Sequence, residues 1–395
     1  MIRSAIKDFV QKADILLLLL CILANSFGLI LVYSATRFRA VYHSLPMKQG
    51  IAMAIGIVVF IACNYIDLEI LMERWKPVFL LSSLFIALLI PFGSDHLGNR
   101  NWIEFSWMPF SISPAEIVKI FFVLLLAKQL TWLQRRDPNN LSRVTSVAQL
   151  LLHLLWYVGL IFVISRDAGT ALVYVAIFVI MCWCAGLKKR WFLIGIAFTA
   201  GAGYVGFRLL PENNHWKRRI QVVLDHNADP DTSWNQTRSL LAIRSGGLTG
   251  EGYLNGTLTQ STSRGAMPER YTDFIFSTCA EELGLVGCVI MMVLLCAIIL
   301  RCLQVGLNAR SGFSALVAIG YGSMLIFQTG LNIAMCLFVM PVVGITLPFF
   351  SYGGSSLITL YAAMGFVSGI KMRSLPSWLR DRSNIGWGRT RRRAF

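Results

Sequence analysis

Ten apolar runs, each close to the length needed to cross a bilayer, constrain this chain more than any other feature. They lie near 14–35, 49–66, 75–91, 115–132, 146–164, 169–187, 191–209, 276–300, 314–340 and 351–372. About 20 apolar residues in an α-helix span the hydrocarbon core. Inside that core every backbone N–H and C=O must be satisfied within the segment itself, so helices are the solution open to such runs. The expected fold class is therefore an all-α integral membrane protein, a bundle of ten transmembrane helices with one large extracytoplasmic loop. Charged residues make up 14% of the chain, against roughly 25% in soluble domains. The first run lacks a small-residue cleavage site and is followed by many more, so it reads as an uncleaved first helix. Residues 1–395 read as one membrane domain, with the loop at 210–272 inside it and a basic cytoplasmic tail at 373–395.

The net charge of +16 invites a nucleic-acid reading, and its distribution argues against one. With the N-terminus inside and ten spans, the cytoplasmic segments hold 22 Lys and Arg. The short outer loops hold 5, namely Arg37, Arg39, Lys48, Arg100 and Arg166. That asymmetry is the positive-inside pattern. It predicts a multi-pass protein with both termini cytoplasmic, no nucleic-acid partner, and a tail at Arg389–Arg393 that touches anionic lipid headgroups. All nine cysteines fall in or at the ends of apolar runs. This spacing suits small apolar fillers and gives neither a disulfide framework nor a metal site.

Topology brings distant polar segments to one membrane face: the loop at 92–114, the turn Ser165–Gly169, the long loop, and the turn at 341–350. Within the long loop, Asn235–Arg244 has amphipathic helical spacing and is expected to lie on the membrane surface. Asp273 ends that loop at the mouth of the eighth span, where it could cap the helix or act on a substrate. Glu116 and Lys119 are three residues apart, so they share a helix face. Charges inside a span usually face an interior cavity, but Ser113-x-x-Glu116 with Pro114 also reads as a capping box. Asp167 could cap the sixth helix or line the same cavity. Glu281 and Glu282 follow two turns into the eighth span, and one of them must face the bundle interior or a wet crevice. Ser351, Tyr352, Gly353, Gly354, Ser355 and Ser356 open the tenth span. Paired glycines and hydroxyls at a helix N-terminus can hold phosphate or simply permit close helix packing.

At these residues the chain resembles the SEDS family of bacterial membrane proteins, which includes RodA, FtsW and SpoVE. The resemblance rests on Leu347-Pro348-Phe349-Phe350-Ser351-Tyr352-Gly353-Gly354-Ser355-Ser356. It rests also on Pro268-Glu269-Arg270-Tyr271-Thr272-Asp273-Phe274-Ile275-Phe276 with Glu281-Glu282-Leu283-Gly284, and on Ser245-Gly246-Gly247-Leu248 with Gly250 and Gly252. It implies a peptidoglycan glycosyltransferase that polymerises lipid II, releases undecaprenyl pyrophosphate and works with a class B penicillin-binding protein, leaning towards the RodA-like, elongation branch. The family's essential aspartate corresponds to Asp273, its cavity Glu and Lys to Glu116 and Lys119, and its acidic turn to Asp167. Three positions depart from the family pattern. Ser113-Pro114-Ala115-Glu116 stands for Gln-Pro-Ser-Glu, Ser165-Arg166-Asp167 for Gln-Pro-Asp, and Asn101-Trp102 for Arg-Trp.

On that reading Asp273 is a general base for the attacking sugar hydroxyl. Lys119, Arg219, Arg264, Arg270 and the turn at 353–356 are candidates to hold the pyrophosphate. No cofactor is demanded, although a divalent cation, Mg or Mn, could help neutralise the diphosphate. Two rival classes fit the same intramembrane charges: a flippase for lipid-linked precursor and a non-catalytic scaffold of the wall-synthesis complex.

Overall fold

The computed structural model describes residues 13–38, 40–96, 99–105, 108, 110–136, 140–209, 211, 214–225, 229–263 and 266–374. Arg264 and the tail from residue 375 onward lie outside the described residues.

Each of the ten apolar runs forms a helix. They are α1 (Ile15–Thr36), α2 (Leu45–Tyr65), α3 (Leu68–Phe92, with short breaks), α4 (Pro114–Arg136), α5 (Val144–Ser165), α6 (Ala168–Cys184) and α7 (Lys189–Leu209). Two helices inside the long loop follow, α8 (His215–Leu224) and α9 (Pro230–Gly246), and the bundle closes with α10 (Ile275–Leu307), α11 (Gly312–Cys336) and α12 (Gly354–Met372). Eight of these are long and apolar enough to cross a membrane. The remaining two of the expected ten are special cases: α6 has only 17 residues, and α4 carries Glu116, Lys119 and Lys128 within its length.

Small residues set the closest approaches, as expected where helices pack without a hydrophobic drive between them. A Cβ on Gly56 of α2 would strike the Tyr361 ring of α12, and one on Gly365 of α12 would strike the Phe60 backbone of α2. In contrast, none of the residues of α7 is buried; its first turn is held by Trp191, which donates to the Ser142 carbonyl at 3.1 Å, and by Phe192 against Trp183. The nine cysteines are free and mostly buried.

Two parts of the face that carries the long loop differ from expectation. The loop at 92–114 contains an antiparallel hairpin of β1 (Gly93–His96) and β2 (Asn99–Ile103), which no alternation in the sequence announced. The amphipathic helix expected on the membrane surface is α9, and it docks on protein instead. Gln236 donates to the Met335 and Met340 carbonyls at 3.0 and 2.6 Å, and Ser239 Oγ donates to the Cys336 carbonyl at 2.8 Å and lies 2.6 Å from Ser277 Oγ. Ala242 is fully buried and Ile243 packs against the core beside these bonds, so polar and apolar side chains of α9 share the contact.

Glu281 and Glu282 are both fully buried, and both hold the long loop. Helix α10 breaks at Gly284, whose φ of 65° and ψ of −162° suit glycine almost alone. The break frees carbonyls and N–H groups for the 246–252 segment. Glu251 N and Gly252 N donate to the Glu281 and Glu282 carbonyls at 2.8 and 3.0 Å, while Leu285 N and Val286 N donate to Gly247 and Leu248 at 3.0 and 3.2 Å. The Glu281 carboxylate accepts from Leu258 N at 2.6 Å and Thr259 N at 2.9 Å. Glu282 accepts from Ser34 Oγ at 2.6 Å and Gln260 Nε2 at 2.8 Å.

Candidate active site

Four helices, α4, α6, α10 and α12, begin on the same face, and the segment at 337–353 crosses between them. Asp273 sits one residue before Phe274, which caps α10 without a side-chain bond. The capping role open to Asp273 in the sequence is therefore not the one it plays. Its backbone and its two predecessors are pinned in succession. Tyr352 N donates to the Tyr271 carbonyl at 2.8 Å, Ser351 Oγ to the Thr272 carbonyl at 2.6 Å, and Asn332 Nδ2 to the Asp273 carbonyl at 2.7 Å. Asn332 also donates to the Ile345 carbonyl at 2.7 Å. The two most distinctive motifs of the chain are thus one structural unit. Asn332 went unnoticed in the sequence, although an Asn deep in an apolar run is itself a signal.

The Asp273 carboxyl is left free. Among the described residues no donor reaches it within hydrogen-bond distance, and the side chain keeps partial exposure. Burial pushes its pKa up to about 7, and the carboxylates of Glu269 and Asp167 add to the rise. Gly344, at φ 67°, passes close by; a Cβ there would lie 3.9 Å from Asp273 Oδ2.

Asp167 does cap α6, and does more. It accepts from Thr170 N at 2.9 Å and Thr170 Oγ1 at 2.7 Å, and from Asn101 Nδ2 of β2 at 2.8 Å. Burial raises its pKa, the Thr170 bonds oppose the rise, and Glu116 and Lys119 act on it with opposite signs. A Cβ on Gly169 would collide with the Val343 carbonyl, so the glycine after Asp167 is what lets the 341–347 segment lie against this turn.

Glu116 and Lys119 form an ion pair at 2.7 Å with side-chain exposures of 17% and 1%. The capping-box alternative loses its key bond, because Ser113 N donates to Ser355 Oγ at 3.2 Å. Ser356 Oγ donates to Glu116 at 3.3 Å, and a Cβ on Gly354 would strike the Phe110 ring. Ser355, Ser356 and Gly354 thus join α12 to α4, which is the close-packing role, while Tyr352 and Gly353 remain partly exposed.

The arginines divide. Arg270 is 5% exposed. Its guanidinium donates to the Thr259 carbonyl and, at 3.1 Å, to the Leu258 and Ser261 carbonyls, and lies 3.6 Å from the Phe38 ring centroid. It braces the loop before Asp273. Arg219 donates to the Val342 carbonyl at 2.9 Å and so ties α8 to the same crossing segment. Among the described residues no three of His, Cys, Asp and Glu converge as a metal-binding group.

This geometry has counterparts in known proteins. A family model for FtsW, RodA and SpoVE, described as cell cycle protein, matches residues 14–375. The peptidoglycan glycosyltransferase MrdB of Escherichia coli (strain K12) is 33% identical over 325 residues, covering 80% of this chain and 83% of that protein. A probable peptidoglycan glycosyltransferase FtsW of Geobacter sulfurreducens is 30% identical over 372 residues, covering 92% and 96%. Among solved structures, a chain from work on the coordination of polymerization and crosslinking by a peptidoglycan synthase complex aligns with a TM-score of 0.76 at 28% identity, covering 91% of this chain and 97% of that one. The Thermus thermophilus rod shape determining protein RodA aligns with a TM-score of 0.66 at 28% identity, covering 92% and 98%.

Proposed function

The chain belongs to the FtsW, RodA and SpoVE family and is a multi-pass membrane peptidoglycan glycosyltransferase of cell-wall synthesis; we propose that its substrate is lipid II and that Asp273 is the general base. The observation that carries this reading is the contrast at Asp273, where three successive carbonyls are tied down while the carboxyl has no donor among the described residues. A rigid backbone fixes where the group points, and an unshared carboxylate is available to a substrate hydroxyl.

The 4-hydroxyl of one sugar attacks the anomeric carbon of the other, the bond to undecaprenyl pyrophosphate breaks, and the hydroxyl proton passes to Asp273. A pKa of about 7 matches the base to neutral pH, and such assistance contributes roughly 10²–10⁴-fold. Partial exposure lets the proton leave to water afterwards. Asp167, Glu116 and Lys119 form the polar wall beneath, with Lys119 as its buried cation. Arg270 and Arg219 hold the loops that shape the site. A divalent cation shared with the diphosphate remains compatible with the carboxylates here, and chelation followed by readdition of Mg or Mn tests it. The charge asymmetry supports cytoplasmic termini, and the likeness to a peptidoglycan synthase complex supports a class B penicillin-binding protein as partner.

The test is reconstitution with fluorescent lipid II. Wild type should make glycan polymer, and Asp273→Asn should make none while remaining folded. Polymer from Asp273→Asn at the wild-type rate removes the residue from this role. Transbilayer movement of the lipid without polymer would favour the flippase, and neither outcome would favour the scaffold.

A further inference from the structure

Helix α4 starts at the site and runs away from it, so Lys128 lies about 18 Å along the helix axis from Glu116. There α3, α4 and α5 leave a cleft of about 660 Å³, a size that suits a small-molecule ligand. Trp75, Phe79, Leu125, Leu152 and Trp156 form its apolar wall. Lys128, Gln129, Gln149 and His153 line the same cleft, although charges and amides are costly within spans.

The polar groups left unmatched in this cleft are donors. His153 Nδ1 lies 2.7 Å from Gln129 Oε1, an acceptor, so Nδ1 carries the proton and Gln129 has only its N–H groups to offer. Those N–H groups, the Lys128 ammonium and the Gln149 amide have no partner among the described residues. His153 Nε2 is enclosed, with the Phe79, Phe122 and Tyr157 rings around the imidazole, and offers nothing to the cleft. The mouth is basic. Lys128 and Trp132 also line an adjoining pocket with Arg135 and Glu73. Arg135 is exposed, as are Arg74 and Lys76 on either side of Trp75, and Glu73 is the acid set against them. Glu69, in the same pocket, is already held by Arg310 and Ser311.

An occupant must therefore bring an apolar chain, acceptor oxygens level with the amides, and negative charge at the mouth. We propose that this cleft binds an anionic glycerophospholipid. Its acyl chain lies against Trp75, Phe79 and Trp156, its ester carbonyls meet Gln129 and Gln149, and its phosphate meets Lys128 and Arg135. Basic pockets between transmembrane helices hold such headgroups, and tryptophans favour the headgroup level. The long stem of Lys128 lets its ammonium reach the mouth from within the span. A polyprenyl phosphate has the chain and the charge but no ester carbonyls for the amides. The cleft is remote from Asp273, and the inference does not rest on the polymerase reading.

The test is lipid binding to the full chain, delipidated in detergent and followed by native mass spectrometry. Phosphatidylglycerol should bind roughly tenfold more tightly than phosphatidylcholine of the same acyl chains. Lys128→Gln should abolish that preference, whereas Lys188→Gln, which removes the same charge elsewhere at this end of the bundle, should keep it. Gln149→Leu should weaken both lipids. Each variant should melt like wild type in detergent; should Lys128→Gln fail to fold, Arg135→Gln carries the same expectation. A preference that survives Lys128→Gln, or is lost equally in Lys188→Gln, overturns the proposal in favour of diffuse surface charge. Undecaprenyl phosphate that binds as tightly as phosphatidylglycerol and ignores Gln149→Leu overturns it in favour of an isoprenoid anion. Displacement of the lipid by inorganic phosphate alone would reduce the cleft to a free-anion site and overturn it too.

Discussion

At the scale of single residues, Asp273 sets a measurable pH dependence. Its folded pKa lies above the ordinary carboxylate value, at about 7, so the native state binds a proton more tightly than the unfolded chain. Stability contributed by this group is present at low pH and is lost as pH rises from about 4 towards 7. Asp273→Asn should therefore melt close to wild type near pH 4 and above it at pH 8. Turnover of the wild type should rise over the same interval, because only the ionised base accepts a proton. A melting difference that stays flat with pH would show that the raised pKa is not real. The buried pair below behaves differently. Lys119→Met or Glu116→Gln alone leaves one partner unmatched and should cost about 3 kcal/mol of stability. The double variant should regain most of that, measured by thermal unfolding in detergent, without regaining turnover.

Single elements show why the motifs read as they do. The glycines at 246–252 and Glu281–Gly284 looked like separate signals, and they are two halves of one joint. A Cβ on Gly284 would collide with Gly250 N and the Leu248 carbonyl, in a backbone region that only glycine enters cheaply. Gly284→Ala is expected to lose about 3 kcal/mol and to impair polymerisation with it, because the loop that delivers Asp273 hangs from that joint. A variant with the wild-type melting temperature would mean that α10 does not break there. Helices α1 to α7 and α10 to α12 were legible from apolar length alone. The docking of α9 was not, since hydrogen bonds from Gln236 and Ser239 to α11 and α10 fix it beside the buried Ala242, and an amphipathic pattern does not say which surface receives it. The hairpin of β1 and β2 was equally hidden, because its pairing is backbone to backbone.

Across the whole molecule, the end opposite the site is held by a charge cluster. Asp14 is fully buried and accepts from Arg301 Nε of α10 at 2.8 Å and Lys371 Nζ of α12 at 3.2 Å, while its N–H donates to Ser368 Oγ at 2.9 Å. It thus fastens the start of α1 to the ends of two helices whose other ends build the site. Asp14→Asn should lower stability by about 3 kcal/mol while turnover per folded molecule changes little, measured by unfolding and by polymer yield normalised to folded protein. Equal losses in both would couple the two faces more tightly than this bundle implies.

The chain by itself determined the ten apolar helices and the residues able to carry charge chemistry. Those follow from local composition, because lipid demands self-satisfied helices wherever the chain is apolar. Whether Asp273 caps a helix or stays free, whether Glu116 bonds its own helix start or Lys119, and whether Arg270 meets substrate or braces a loop are matters of which donor arrives from a distant segment. Only the folded arrangement of α4, α6, α10, α11 and α12 brings those donors together, and so only the tertiary structure decided them.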